Sequence, residues 1–297
     1  MIIYTGKTIR LIIVLALSLI VNSCDKGSEE DIPSYIRLGH ITFNSEGQGT
    51  SSAKISDAWI YIDNEFIGAF ELRDSTTTIP ILQSGKHQLT IYPGIKMNGI
   101  AATRVPYTFY TTITKEINLV RDSVLNLGNL SVKYSAKTVF EWQEDFEQSA
   151  ISIDTTARSS YKLERTTDPD LIFHQPGDVN EASGIALIPS DTSIFECVSH
   201  DAFELPVNGT DVFLELNYKT NNAVTVGLFV YTSAKTIQES LLVLNRNTAW
   251  NKIYINLTAA LVNHQDATNF RIFFGVVKES DVAEARFLVD NIKLVHF

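Results

Sequence analysis

The sequence predicts an all-β protein built as two sandwiches, a small antiparallel one followed by a larger one. Three observations carry this. From Tyr35 onward the chain is a succession of short apolar/polar alternations cut by Gly, Pro, Asn and Asp, which is the strand-and-turn signature. Over residues 33–132 no stretch keeps a 3.6-residue period over three turns. Later runs such as Val224-Thr225-Val226-Gly227-Leu228-Phe229-Val230 are apolar on both faces, as inner strands of packed sheets are.

Taken in order, residues 1–23 have the three parts of an export signal. Lys7 and Arg10 form a positive start, and Leu11 to Val21 is an apolar run broken only by Ser18. That run is too short to span a bilayer comfortably as a helix. Leu19-Ile20-Val21-Asn22-Ser23-Cys24 resembles the lipobox of bacterial lipoproteins, which implies cleavage before Cys24 and lipid attachment to its thiol. The next residues, Asp25 to Asp31, hold no apolar side chain and read as a flexible acidic tether over 24–32. They resemble the signal that follows the lipidated cysteine in surface-exposed lipoproteins of the Bacteroidota. The resemblance implies an outer-membrane lipoprotein facing the cell exterior.

The first domain is expected at 33–132. Asp57 to Ile62 reads as a strand, Asp63-Asn64 as its turn, and Phe66 to Phe70 as the return strand. Lys86 to Tyr92 follows, entered through Ser84-Gly85 and stopped by Pro93-Gly94. Val105 to Tyr110 and Thr114 to Leu119 complete the set. The order Trp59 to Asn64, Phe66-Ile67-Gly68, Ile79-Pro80-Ile81, Gly85-Lys86-His87-Gln88-Leu89 resembles a PEGA-type domain. That family implies an Ig-like sandwich used as a spacer or interaction module. Tyr107 and Tyr110, with Tyr92 and Phe109, are candidates for a binding platform, set against ordinary sheet packing.

The second domain is expected at 133–297, with about eight strands: 140–146, 184–188, 211–219, 223–232, 241–244, 252–257, 270–277 and 286–295. Eight or so strands in one domain make a jelly roll the natural architecture. Trp250-Asn251-Lys252-Ile253-Tyr254-Ile255-Asn256-Leu257, the closing Phe287-Leu288-Val289-Asp290-Asn291-Ile292-Lys293-Leu294 and the opening Glu144-Asp145-Phe146-Glu147 resemble carbohydrate-binding, galactose-binding-like jelly rolls. Counting by twos puts Phe140, Trp142, Glu144 and Phe146 on one face of the first strand and Leu288, Asp290, Ile292 and Leu294 on one face of the last. The two acids would then sit on apolar faces of neighbouring strands, where they could share a hard cation such as calcium. The resemblance implies the same structural calcium, with Asp145 and Glu147 beside it. The other reading is that backbone amides bond these carboxylates at a strand end, or that they are exposed at a sheet edge. Phe173 and His174 in the 168–177 loop, and Tyr218 and Tyr231 on strands, are the candidates for contact with a sugar.

The formal charge is −10, or −12 once Lys7 and Arg10 leave with the signal (22 basic against 34 acidic residues), so nucleic acid is an unsuitable partner. Cys24 and Cys197 are the two cysteines, and a lipidated Cys24 leaves Cys197 as a small buried hydrophobe. There is no Gly-x-Ser-x-Gly, His-Glu-x-x-His, Walker loop or Cys-x-x-Cys, and the six histidines are scattered singly. No catalytic cofactor is implied. The expectation is therefore a lipid-anchored, non-catalytic binding module for a glycan or an envelope protein. A structural, motility- or secretion-linked envelope component comes second. A glycan-acting hydrolase is third, with Asp211/Glu215 and Glu144/Glu147 as its only closely spaced acids.

Overall fold

The computed structural model describes residues 32–73, 76–189 and 194–297. The expected export signal, Cys24 and all but Ile32 of the expected tether lie outside the described residues. Those residues form an all-β chain of two sandwiches and one short helix.

The first sandwich holds β1 (Ser34–Asn44), β2 (Asp57–Ile62), β3 (Glu65–Glu71), β4 (Thr77–Ile81), β5 (Gly85–Lys96), β6 (Arg104–Pro106), β7 (Ile113–Leu119) and β8 (Val124–Lys133). One sheet runs β4-β1-β8 and the other β3-β2-β5-β6, with β7 also on β5. The alternation works as a sorting device: Ile36, Leu38, Ile60, Ile62, Leu89 and Ile91 are fully buried between the sheets. The β2–β3 turn has Asp63 and Asn64 both at positive φ, as a two-residue type I′ hairpin requires. The sandwich is not wholly antiparallel, because β1 pairs with β8 in parallel. The long path from β1 round to β8 is what allows that pairing.

The second sandwich holds β9 (Val139–Glu144), β10 (Ile153–Thr155), β11 (Glu164–Thr166), β12 (Ser183–Ile188), β13 (Ile194–Ser199), β14 (Val212–Thr220), β15 (Val224–Thr232), β16 (Thr236–Leu244), β17 (Asn247–Asn256), α1 (Thr258–Val262), β18 (Ala267–Val277) and β19 (Ala285–His296). The front sheet runs β10-β13-β18-β15-β16 and the back sheet β11-β12-β19-β14-β17, with β9 also paired to β19. The first and last strands are thus neighbours. Val224, Val226, Leu228 and Val230 of the front sheet meet Leu214, Leu216, Phe287 and Val289 of the back sheet in one core. The three-residue strands β10 and β11 are too short to show a period in sequence.

Much of the back sheet's outer face is covered by the first domain, all but the end at Lys219, Arg286 and Leu288. Phe213, Tyr254 and Val295 pack against Phe43, Ile95, Tyr107, Phe109, Tyr110, Val132 and Tyr134 in a third apolar cluster. Tyr107 and Tyr110 are 2% and 4% exposed. They are seam residues and cannot be an exposed platform. The burial that sequence parity alone could not assign comes from the other domain.

Candidate functional site

The seam is built round one carboxylate. Glu215, on the outward face of β14, is fully buried and accepts the hydroxyl of Tyr107 at 2.6 Å and of Tyr134 at 3.0 Å. The Lys252 ammonium lies 3.0 Å from its other side, off the line of a hydrogen bond. Burial, then the Glu215 charge, pushes both phenols up, so they stay protonated as donors. Lys293, directly opposite Glu215 on β19, is pushed down to about 8 by burial and by Lys252. Tyr254 receives the Lys54 amide at 2.8 Å, and Ser52 donates to Asn217 at 2.8 Å, so the 45–56 segment is bound along the seam. Glu215 is therefore committed to structure. Asp211, its sequence neighbour on the same parity, accepts the Thr108 hydroxyl.

The two acids expected to share a cation do not meet. A bulge at Asn291 (φ 50°) puts an extra residue in β19 between the pairs Glu215↔Lys293 and Asn217↔Asp290. It reverses the parity, so Ile292 and Leu294 face the core while Asp290 lies with Asn217 on the first-domain face. A second irregularity in β9, between its pairs with Leu294 and Val295, likewise separates Phe140 from Trp142. Glu144 pairs with Ile292 on the core side and is capped by the amides of Phe146 and Ser152 and the Ser152 hydroxyl. Asp290 accepts Ser183 Oγ, Asn180 Nδ2 and the Asn291 amide; burial pushes its carboxyl up to about 7, and Glu147's charge adds to that rise. Glu147 receives the amides of Glu181 and Ala182, and Asp145 receives that of Glu147. Among the described residues no group of three or more His, Cys, Asp or Glu is gathered to hold a metal. These four acids do not fit the shared-cation arrangement; each is satisfied by N–H or O–H donors.

Phe173 and Tyr218 are also buried rather than presented. Phe173 packs edge-on against Trp250, 5.6 Å between centroids, and Tyr218 faces the sandwich core. His174 is exposed and bonds the Pro169 carbonyl. Cys197 is buried, and burial pushes its thiol well above the usual range.

Tyr231 is where the sequence candidates and the open surface coincide. With the back sheet covered, the free sandwich face is the outer side of the front sheet. On β15, Thr225, Gly227, Phe229 and Tyr231 point outward; on β18, Arg271, Phe273 and Gly275 do. Gly227 is required here: a Cβ would lie 2.4 Å from the Phe273 ring and 2.2 Å from the Glu239 carbonyl. Without it Phe273 lies across β15, 5.3 Å from Phe229. Next to this pair lies a shallow groove of about 510 Å³, with Val198 and Phe229 in its lining and Tyr231, Thr236, Asp154 and Arg271 around them.

Its polar groups are held in place. Arg271 donates to Asp154 Oδ2 at 2.7 Å and to the carbonyls of Ser199 and His200. His200 Nδ1 sits 3.0 Å from Asp154 Oδ1; that bond holds the Asp154 carboxyl below its usual range, with Arg271 assisting, and raises the imidazole. Beside them the buried Glu196 accepts Thr156 Oγ1 at 2.8 Å and Gln238 Nε2 at 2.7 Å, with Arg158 bonding the same Gln238. Half-buried rings next to charge-assisted, preoriented donors and acceptors suit a ligand with apolar C–H faces and many hydroxyls. Sequence reading missed Phe229, Phe273, Arg271 and Glu196. The parity Thr225, Gly227, Phe229, Tyr231 was available as a signal, but a run apolar on both faces hides it.

The first domain carries an open aromatic patch as well. Phe66 and Tyr92 are 48% and 38% exposed, and Trp59 and Tyr61 stand between them at centroid distances of 5.2–5.4 Å.

No family model and no curated protein matches this chain. Among solved structures it is similar to the CBM22-2 xylan-binding domain of Paenibacillus barcinonensis Xyn10C, with 15% identity and a TM-score of 0.37 over 52% of this chain and 99% of that one. It is similar also to the family 11 carbohydrate-binding module of the Clostridium thermocellum cellulase Lic26A-Cel5E, at 12% identity, TM-score 0.38, 55% of this chain and 96% of the other. The enzymatically active domain of the bacteriophage CBA120 tailspike protein 4 aligns at 11% identity and TM-score 0.39, covering 59% of this chain and 26% of that one. Similarities of this size say nothing about a ligand.

Proposed function

We propose that this chain is a non-catalytic glycan-binding protein held at the outer membrane, facing outward, by lipid on Cys24, and that it binds through the front-sheet groove. The observation that carries the binding reading is the groove itself, where Phe229 and Tyr231 lie beside the fixed Arg271–Asp154 and Glu196–Gln238 pairs on the sandwich face the first domain leaves open. The first domain acts as a stalk, and the seam makes stalk and binding domain one body. The Leu19 to Cys24 pattern and the polar tether support the anchor.

A glycan array run with the purified protein tests this, followed by Tyr231→Ala and Arg271→Met on any hit. Each variant is expected to weaken binding about tenfold or more, the equivalent of about 1.4 kcal/mol. An array without hits, or variants that bind as the parent does, would refute it. The second reading, an envelope-protein partner, is favoured by the Trp59–Phe66–Tyr61–Tyr92 patch, because exposed aromatic clusters are a common protein-contact surface. Loss of a specific in-cell cross-link placed at Phe66 on changing Tyr92 to Ala would identify that mode.

A further inference from the structure

A second pocket lies on the other sheet, away from the groove. It has a volume of about 420 Å³ at the end of the back sheet that the first domain does not cover. β14 contributes Lys219 and Thr220 to its lining, and the turn into β17 contributes Arg246 and Asn247. β19 adds Arg286 and Leu288, and the 168–177 loop adds Leu171. Three of the lining residues are cations and none is a carboxylate, on a chain whose net charge is −10.

The charge balance around it is specific. Arg246 is engaged outside the lining, bidentate to Asp281 at 2.6 and 2.7 Å and in contact with Glu279. Arg286 reaches Glu284 only at 3.4 Å, with 45% of its side chain exposed. Lys219 is half-buried and has no hydrogen bond or ion pair among the described residues. Asn221 is spent on the Arg286 amide and the Glu284 carbonyl. Asn247 Oδ1 accepts the Thr220 amide at 2.9 Å, and its Nδ2 is buried without a partner among the described residues. The unspent polar capacity is thus mostly positive, the Lys219 ammonium and the free N–H groups of Arg286, with the exposed Thr248 hydroxyl beside them. Leu288, almost fully buried, and Leu171 supply an apolar wall.

From this we infer a second binding site, one that takes a small organic anion with a carboxylate on a ring-sized body, of the class of an acidic sugar such as a uronate. The carboxylate meets Lys219 and Arg286, and the ring's C–H face lies on Leu171 and Leu288. A cationic lining over an apolar wall rejects a cation and favours an anion over a neutral sugar. Overall negative charge repels such a ligand at long range, so binding is local, fast to exchange and weakened by salt. The site stands independently of the groove.

The test is isothermal titration of the purified protein with D-glucuronate and, separately, D-glucose. Saturable glucuronate binding at roughly millimolar concentration is expected, at least tenfold tighter than glucose and weakened by added sodium chloride. Lys219→Met and Arg286→Met should each lose about tenfold, with unliganded thermal unfolding unchanged, while Tyr231→Ala in the groove keeps full glucuronate affinity. Glucose binding as tightly, glucuronate binding unchanged in both cation variants, or no glucuronate binding at all would overturn the site. Loss in Tyr231→Ala but not in Lys219→Met would place the ligand in the groove instead and equally overturn it.

Discussion

Removing the Glu215 carboxylate should be among the most damaging single changes in the seam, and its size can be worked from its neighbours. In Glu215→Ala, Lys252 keeps an ammonium at a side chain 3% exposed with no counter-charge at 3.0 Å. An orphaned buried charge of that kind costs about 3–5 kcal/mol. The Tyr107 and Tyr134 hydroxyls lose their shared acceptor as well, about 1 kcal/mol or more each where water does not reach them. Relaxation offsets part of this, so about 4 kcal/mol is expected, or on the order of 10 °C in Tm for a chain of this size. Tyr107→Phe, which leaves Tyr134 bonded to both carboxylate oxygens, should cost only about 1.5 kcal/mol. The decisive comparison is Glu215→Leu combined with Lys252→Met. Because the pair's desolvation penalty disappears with the pair, the double variant should be more stable than Glu215→Ala alone. Urea unfolding followed by tryptophan fluorescence measures the three variants against the parent. A Glu215→Ala cost below about 1 kcal/mol, or a double variant less stable than Glu215→Ala, would refute the reasoning.

Three further outcomes are expected. Asp290, pushed by burial from 3.8 up to about 7, binds a proton in the folded state that the unfolded chain has already released, so its contribution to stability is full below about pH 4 and is lost as pH rises to about 7. That window corresponds to on the order of 4 kcal/mol; urea midpoints at pH 4.5 and 7.5 should differ less in Asp290→Asn than in the parent, and equal differences would contradict it. Gly227→Ala forces a methyl into the Phe273 ring and the Glu239 carbonyl, so thermal unfolding should show a loss of about 1–3 kcal/mol, whereas an unchanged transition would mean the β15–β16 bulge yields freely. Cys24→Ala should move the protein from the membrane pellet to the supernatant on cell fractionation, and continued sedimentation with membranes would exclude the lipid anchor.

Much of the architecture was legible because it rests on local chemistry. The I′ turn at Asp63-Asn64 and the alternation of β1, β2 and β5 follow from side-chain size and backbone freedom at single positions. Parity failed where a single residue changed it. Asn291, at φ 50°, turned Asp290 away from Glu144, and no residue-by-residue pattern announces such a bulge. It gave no help for Tyr107 and Tyr110, where the expected strand 105–110 ends at Pro106 and burial is supplied by β14 and β17, more than a hundred residues later.

By itself, then, the sequence determined the class of fold, the strands with strong alternation and the acidic balance of the chain, since each depends on residue type or on residues close in the chain. The tertiary structure alone decided which face remains open. Only docking of the first domain on the back sheet makes Glu215 a buried anchor and leaves Phe229, Tyr231 and Arg271 as the free surface. The physical reason is that burial belongs to pairs of surfaces, and a chain read in order shows only one of each pair.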